Sequence, residues 1–147
     1  MDLLINRIQI ALQLLKRNVD SDFQNTYESK ITKPQMFLMY AIYKMGKCKL
    51  SRLAEMMEVK PSAITVMIDR LEKDNYVKRS NDTIDRRAVM VELTPLGKEV
   101  LENTFKQRNE ILKSYLTRLE QEEVLLFTEL LEKIVAPERS NYTEKEV

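Results

Sequence analysis

Catalysis has little to work with in this chain. It has no histidine to serve as a base near neutral pH, and its lone cysteine, Cys48, cannot build a Cys/His metal cluster. Only Gly46 and Gly97 are present, so no glycine-rich phosphate loop can form, and no carboxylate pair sits on an otherwise apolar helix face. Neither an enzyme nor a resident cofactor is expected. The groups arranged to do chemistry are those of recognition. In the run from Glu58 to Asn75, Ser62, Thr65, Val66, Asp69, Arg70 and Lys73 share one face of a predicted helix. Hydroxyls can bond bases or phosphates, a small apolar group can meet a thymine methyl, and Arg70 can fork onto guanine, a set suited to the DNA major groove. A second cationic set, Arg86 and Arg87, closes the polar stretch Ser80–Arg87, where it would lie along a phosphate strand or enter the minor groove. Asp85, just before them, would be costly beside a polyanion unless it holds Arg87 or a nearby main-chain N–H.

These residues need elements to position them. Pro61 suits the first turn of a helix, with Lys60 at the cap, and Ile64, Met67, Ile68 and Leu71 make its inner face. Ahead of it, Ser51 is expected to cap a short helix over 52–58, with Leu50, Leu53, Ala54 and Met57 turned inward. Two short helices across a tight turn make a helix-turn-helix. After Asn75 the period becomes two: Tyr76–Arg79 and Val89–Leu93 read as the strands of a hairpin, a wing. Upstream, Thr32, Pro34 and Gln35 start a core helix that Gly46 ends. Helices are also expected over about 2–19, over 96–119 and from Glu120 to before Pro137. The first is apolar around so much of its circumference that a partner subunit is the expected second surface. The stretch from Ser21 to Lys30 loses the pattern and reads as a frayed continuation or a loop.

A chain of 147 residues with two glycines and four prolines is expected to be mainly α, and no apolar run reaches the length of a membrane span. The acidic, amphipathic N-terminus is not a secretory signal, and one cysteine fits a reducing compartment, so a cytoplasmic location is expected. Net charge is only +1, yet 47–98 holds eleven Lys/Arg against eight Asp/Glu, while 120–147 holds three against eight. That asymmetry favours a local polyanion contact in the middle of the chain and none at its end.

The run Leu50-Ser-Arg-Leu-Ala-Glu, Val59-Lys-Pro-Ser-Ala-Ile-Thr, Ile68-Asp-Arg-Leu-Glu-Lys, Asp85-Arg-Arg-Ala and Val91-Glu-Leu-Thr-Pro-Leu-Gly97 resembles the MarR family of bacterial winged-helix transcription factors. The Asp-x-Arg of the wing and the Leu-Thr-x-x-Gly leading into the next helix are its most specific marks. The resemblance implies a winged helix-turn-helix flanked by N- and C-terminal dimerisation helices. It also implies a homodimer on a pseudo-palindromic double-stranded operator, and repression relieved by a small phenolic or lipophilic ligand or by cysteine oxidation. On the matching positions, Ser62, Ala63, Thr65, Val66 and Arg70 would read the major groove. Arg87 would enter the minor groove, and Lys60, Lys78 and Arg79 would touch phosphates. The expected division is a dimerisation helix over 1–31, a DNA-binding domain over 32–94, dimerisation helices over 95–136 and a polar tail over 137–147. The alternative from another class is a winged helix that grips a protein without binding DNA.

Two further groups invite a regulatory role. Met36, Met39, Tyr40 and Tyr43 could line an adaptable effector pocket, against ordinary core filling. Cys48, flanked by Lys47 and Lys49, has the electropositive neighbours of a redox thiol, against a plain buried cysteine. The family's peroxide-sensing cysteine stands in the first helix, where this chain has none.

Overall fold

The computed structural model describes residues 1–28 and 31–135, so the tail expected over 137–147 lies outside the described residues. The chain forms two compact units, Met1–Asn109 and Glu110–Val147, with the boundary inside a helix. In order, the elements are α1 (Asp2–Thr26), α2 (Lys33–Met45), β1 (Cys48–Lys49), α3 (Leu50–Met56), α4 (Pro61–Lys73), β2 (Val77–Asn81), β3 (Val89–Leu93), α5 (Pro95–Leu116) and α6 (Gln121–Val135).

The core of the first unit gathers Leu38, Met39 and Ile42 of α2, Leu53 of α3, and Ile64, Ile68 and Leu71 of α4. Val77, Val91 and Leu101 complete it, all sealed from solvent. The strands form an antiparallel sheet in the order β1-β3-β2, with Val77 opposite Leu93 and Arg79 opposite Val91. Local chemistry explains most boundaries. Thr32 and Gln35 form a reciprocal capping box at α2, whose far end is Gly46 at φ 69°. Ser51 does not cap α3. Lys49 is still paired with Met90, so the chain passes straight from strand to helix and Leu50 is already helical.

The two helices of the helix-turn-helix end alike. Val59 N–H donates to Ala54 O at 3.1 Å and Glu58 N–H to Glu55 O at 3.1 Å; Tyr76 N–H donates to Leu71 O at 2.9 Å and Asn75 N–H to Glu72 O at 2.9 Å. Both are Schellman ends, which place one residue in the left-handed region. Asn75 (φ 61°) tolerates that region, whereas Glu58 (φ 53°) carries a Cβ penalty that glycine would not. Glu58→Gly is therefore expected to stabilise the fold by about 0.5–1 kcal/mol, read as a higher urea midpoint at unchanged slope.

The first helix runs to Thr26 rather than stopping near Val19. Its last turns are anchored by Phe23, buried with the Arg108 guanidinium 5.2 Å from its ring, and by Asp20, which pairs with both Lys33 and Arg108. Burial pushes the Asp20 carboxyl up, but bonds from the two cations outweigh it and hold it below its ordinary value. Every residue from Asp2 to Leu14 is exposed, with Leu4 at 52 % and Ile8 at 58 %. In the second unit, α6 buries none of its residues, and Leu125, Leu130 and Ile134 are open. Both faces are far more apolar than solvent exposure rewards.

Candidate nucleic-acid interface

Helix α4 divides cleanly. Ile64, Ile68 and Leu71 are buried, while Ser62, Ala63, Thr65, Val66, Asp69 and Arg70 are exposed along the opposite side. Pro61 provides a first turn with no stranded N–H, and Lys60 stands exposed at the cap, beside the positive end of the helix dipole. The Thr65 hydroxyl donates to Pro61 O at 3.0 Å, which leaves its oxygen to accept from a base amino group and its methyl to meet a thymine. Val66, half exposed, continues that small apolar surface. The side chains of Ser62 and Arg70 have no hydrogen-bonded or ionic partner among the described residues, so a ligand can claim the full bonding capacity of both side chains.

The wing tip is built around its acidic residues. Asp82 N–H donates to Ala88 O at 3.0 Å, Ala88 N–H to Asp85 O at 2.9 Å, and Arg87 N–H to Asp85 Oδ1 at 3.0 Å. Asp85 thus holds a main-chain N–H rather than a guanidinium. Arg86 and Arg87 are exposed, with no carboxylate partner among the described residues.

The flanking cations differ from the expectation. Lys78 pairs across the sheet with Glu92 at 3.3 Å. Arg79, expected on phosphate, is instead forked between Asp69 and Glu72, with a further bond to Thr65 O at 3.4 Å. Burial works against its charge, but the two carboxylates outweigh that and raise its pKa further. The reason for the difference is that Asp69 and Glu72, one helical turn apart on α4, face β2 and match the guanidinium fork. Arg79 is a strut between α4 and the strand β2. Arg79→Ala is expected to leave two uncompensated carboxylates on α4 and to weaken DNA binding on the order of tenfold. The fold itself loses only about 1 kcal/mol, because these charges are partly solvated. Fluorescence anisotropy on a specific duplex and a urea melt separate the two effects.

The two regulatory expectations fare differently. A cavity of about 400 Å³ lies where α1 ends and α2 begins, walled by Phe23, Tyr27, Ile31, Met36 and Arg108 among others. Of the four residues expected there, only Met36 lines it. Met39 is fully buried in the core, Tyr40 stacks edge-on against Phe105 at 5.3 Å, and Tyr43 is exposed. Phe23, Tyr27 and Arg108 were not anticipated; the only hint was the i, i+4 aromatic spacing in a stretch with no other pattern. Cys48 is 7 % exposed, its Sγ 3.9 Å from Val91 O, and burial raises its pKa. A redox sensor needs an accessible, low-pKa thiol, so the redox expectation is corrected to a core cysteine; Lys47 is exposed and Lys49 turns to Asp82 of the wing. No helix among the described residues is long and apolar enough to cross a membrane.

The model of the MarR family matches residues 31–89. The HTH-type transcriptional repressor MdtR of Bacillus subtilis is 38% identical over 125 residues, covering 84% of this chain and 81% of its own. The crystal structure of the YusO protein from Bacillus subtilis superposes with TM-score 0.80 at 35% identity, covering 92% of this chain and 97% of that one. A mutant MarR from E. coli complexed with operator DNA has TM-score 0.60 at 25% identity, covering 88% and 91%. With a helix-turn-helix followed by a wing and a likeness running over most of both chains, the chain belongs to the MarR family of winged-helix, DNA-binding transcription regulators, which are not enzymes.

Proposed function

We propose that the protein is a cytoplasmic homodimeric repressor that grips a pseudo-palindromic operator and lets go when a small phenolic or lipophilic molecule binds. The observation that carries this reading is the open face of α4 (Ser62, Ala63, Thr65, Val66, Arg70) beside a wing whose arginines are exposed and have no carboxylate partner among the described residues. Two copies of α4 enter successive major grooves about one helical turn apart, and linkage of the two heads provides affinity that one lobe lacks. Support for the dimer comes from the bare apolar faces of α1 and of α6, which a second copy covers. Repression accords with the name of MdtR, and operator binding with the MarR complex. Release would act at the cavity beside Phe23 and Tyr27. There Asp20 ties α1 to Lys33 of α2 and to Arg108 of α5, so a ligand that parts those ion pairs shifts the lobe on its dimerisation helix.

Light scattering on the purified protein should give twice the chain mass, and selection from random duplexes with nonspecific competitor should return an inverted repeat. A stable monomer, or no enriched sequence at low ionic strength, rules the reading out and leaves a protein-gripping winged helix. Phenolic compounds that bind yet never change operator affinity would remove the release step alone.

A further inference from the structure

The wing carries one residue that the reading above does not use. Ile84 is 94 % exposed, more than any other large hydrophobic side chain among the described residues. Its neighbours in the tip, Asn81, Asp82 and Thr83, are polar. The loop beneath it is tied down at both ends. Its own N–H donates to Asp82 Oδ1 at 3.3 Å, Asp82 is anchored to Lys49 of β1 at 3.7 Å, and Asp85 closes the other side through the amides of Arg87 and Ala88. The loop thus holds a stiff, β-branched side chain outward, two residues before Arg86 and Arg87, which have no carboxylate partner among the described residues. A single residue is too small to be a protein-docking patch.

Resting on the placement of the wing in DNA, we propose that Ile84 is a minor-groove contact that makes the wing select base pairs lacking the guanine 2-amino group. The groove walls are deoxyribose C–H surfaces that a branched aliphatic group fills well. Its floor presents only acceptors at A·T pairs, whereas G·C adds the protruding N2 amino group, a donor that Ile84 can neither accept from nor accommodate. Arg86 and Arg87 supply the attraction to the groove's negative potential, and Ile84 supplies apolar contact with the walls and floor, the pairing of cation and apolar wedge that minor-groove readers use.

The test uses the full chain and an operator recovered by selection, with the base pair facing the wing tip made A·T, G·C or inosine·C in turn. Inosine lacks the 2-amino group but keeps the guanine major-groove edge. The wild-type protein is expected to bind A·T and inosine·C alike and G·C about tenfold more weakly. Ile84→Ala should weaken A·T binding several-fold and bring the three duplexes within about twofold, at unchanged melting temperature and salt slope, since no charge is lost. If Ile84→Ala keeps both the affinity and the discrimination while Arg87→Ala weakens binding, the Ile84 contact is overturned and the wing placement stands. If Arg87→Ala also has no effect on affinity or salt slope, the wing is off the DNA and both fall.

Discussion

Gly97→Ala is expected to destabilise the fold by about 3 kcal/mol and lower its melting point by roughly 10 °C. Gly97 lies in the first turn of α5, where the helix meets the chain entering β2. A Cβ there would sit 1.9 Å from Tyr76 O and 2.8 Å from Tyr76 C, inside any tolerable contact and against main chain that cannot rotate away. To admit a methyl group, α5 must lift from the sheet and pull apart three bonds that start it: Thr94 N–H to Tyr76 O (3.0 Å), Thr94 Oγ1 to Asn75 O (2.6 Å) and Gly97 N–H to Thr94 Oγ1 (2.9 Å). The intrinsic preference of helices for alanine over glycine returns at most about 1 kcal/mol, so the clash wins. The Leu-Thr-x-x-Gly motif thereby acquires a physical reason: the threonine ties the helix start to the strand entrance, and the glycine lets the backbones touch. Thermal melts of wild type and variant measure the loss. A variant that melts with the wild type would mean the helix start and Tyr76 are not in contact.

The same contrast between local and distant causes explains what could be read from the chain beforehand. Thr32, Pro34, Gln35 and Gly46 act on their own neighbours, so the limits of α2 were legible. The alternation of Val89, Val91 and Leu93 likewise announced β3, and the spacing of Ile64, Ile68 and Leu71 announced which face of α4 would be open. The missed features all depend on partners far along the chain. Ser51 lost its cap because Lys49 pairs with Met90 across forty residues of sequence. Phe23 is buried by Arg108, which no helical period in α1 could reveal. The resemblance to the MarR family put Arg79 on phosphate, and only folding shows that two carboxylates of α4 reach it first.

For the proposed dimer, Arg87→Ala is expected to weaken operator binding about a hundredfold at physiological salt, the effect of losing one contact worth roughly 1.4 kcal/mol in each of two half-sites. Preorganisation is what makes so exposed an arginine matter. Its amide is fixed by Asp85 and its loop is closed by the pairing of Asn81 with Val89, so binding has to order only the side chain. Since Arg87 has no carboxylate partner among the described residues, its removal should leave the melting temperature unchanged, which separates lost recognition from lost folding. The plot of log affinity against log salt should also flatten by about two per dimer, one for each lost cation near phosphate. Arg87→Lys should restore most of that slope but not the full affinity, because a narrow groove favours the weakly hydrated, planar guanidinium over a compact ammonium. An alanine variant with the wild-type affinity and the wild-type slope would show that the hairpin tip stays clear of the duplex, leaving α4 as the reading element.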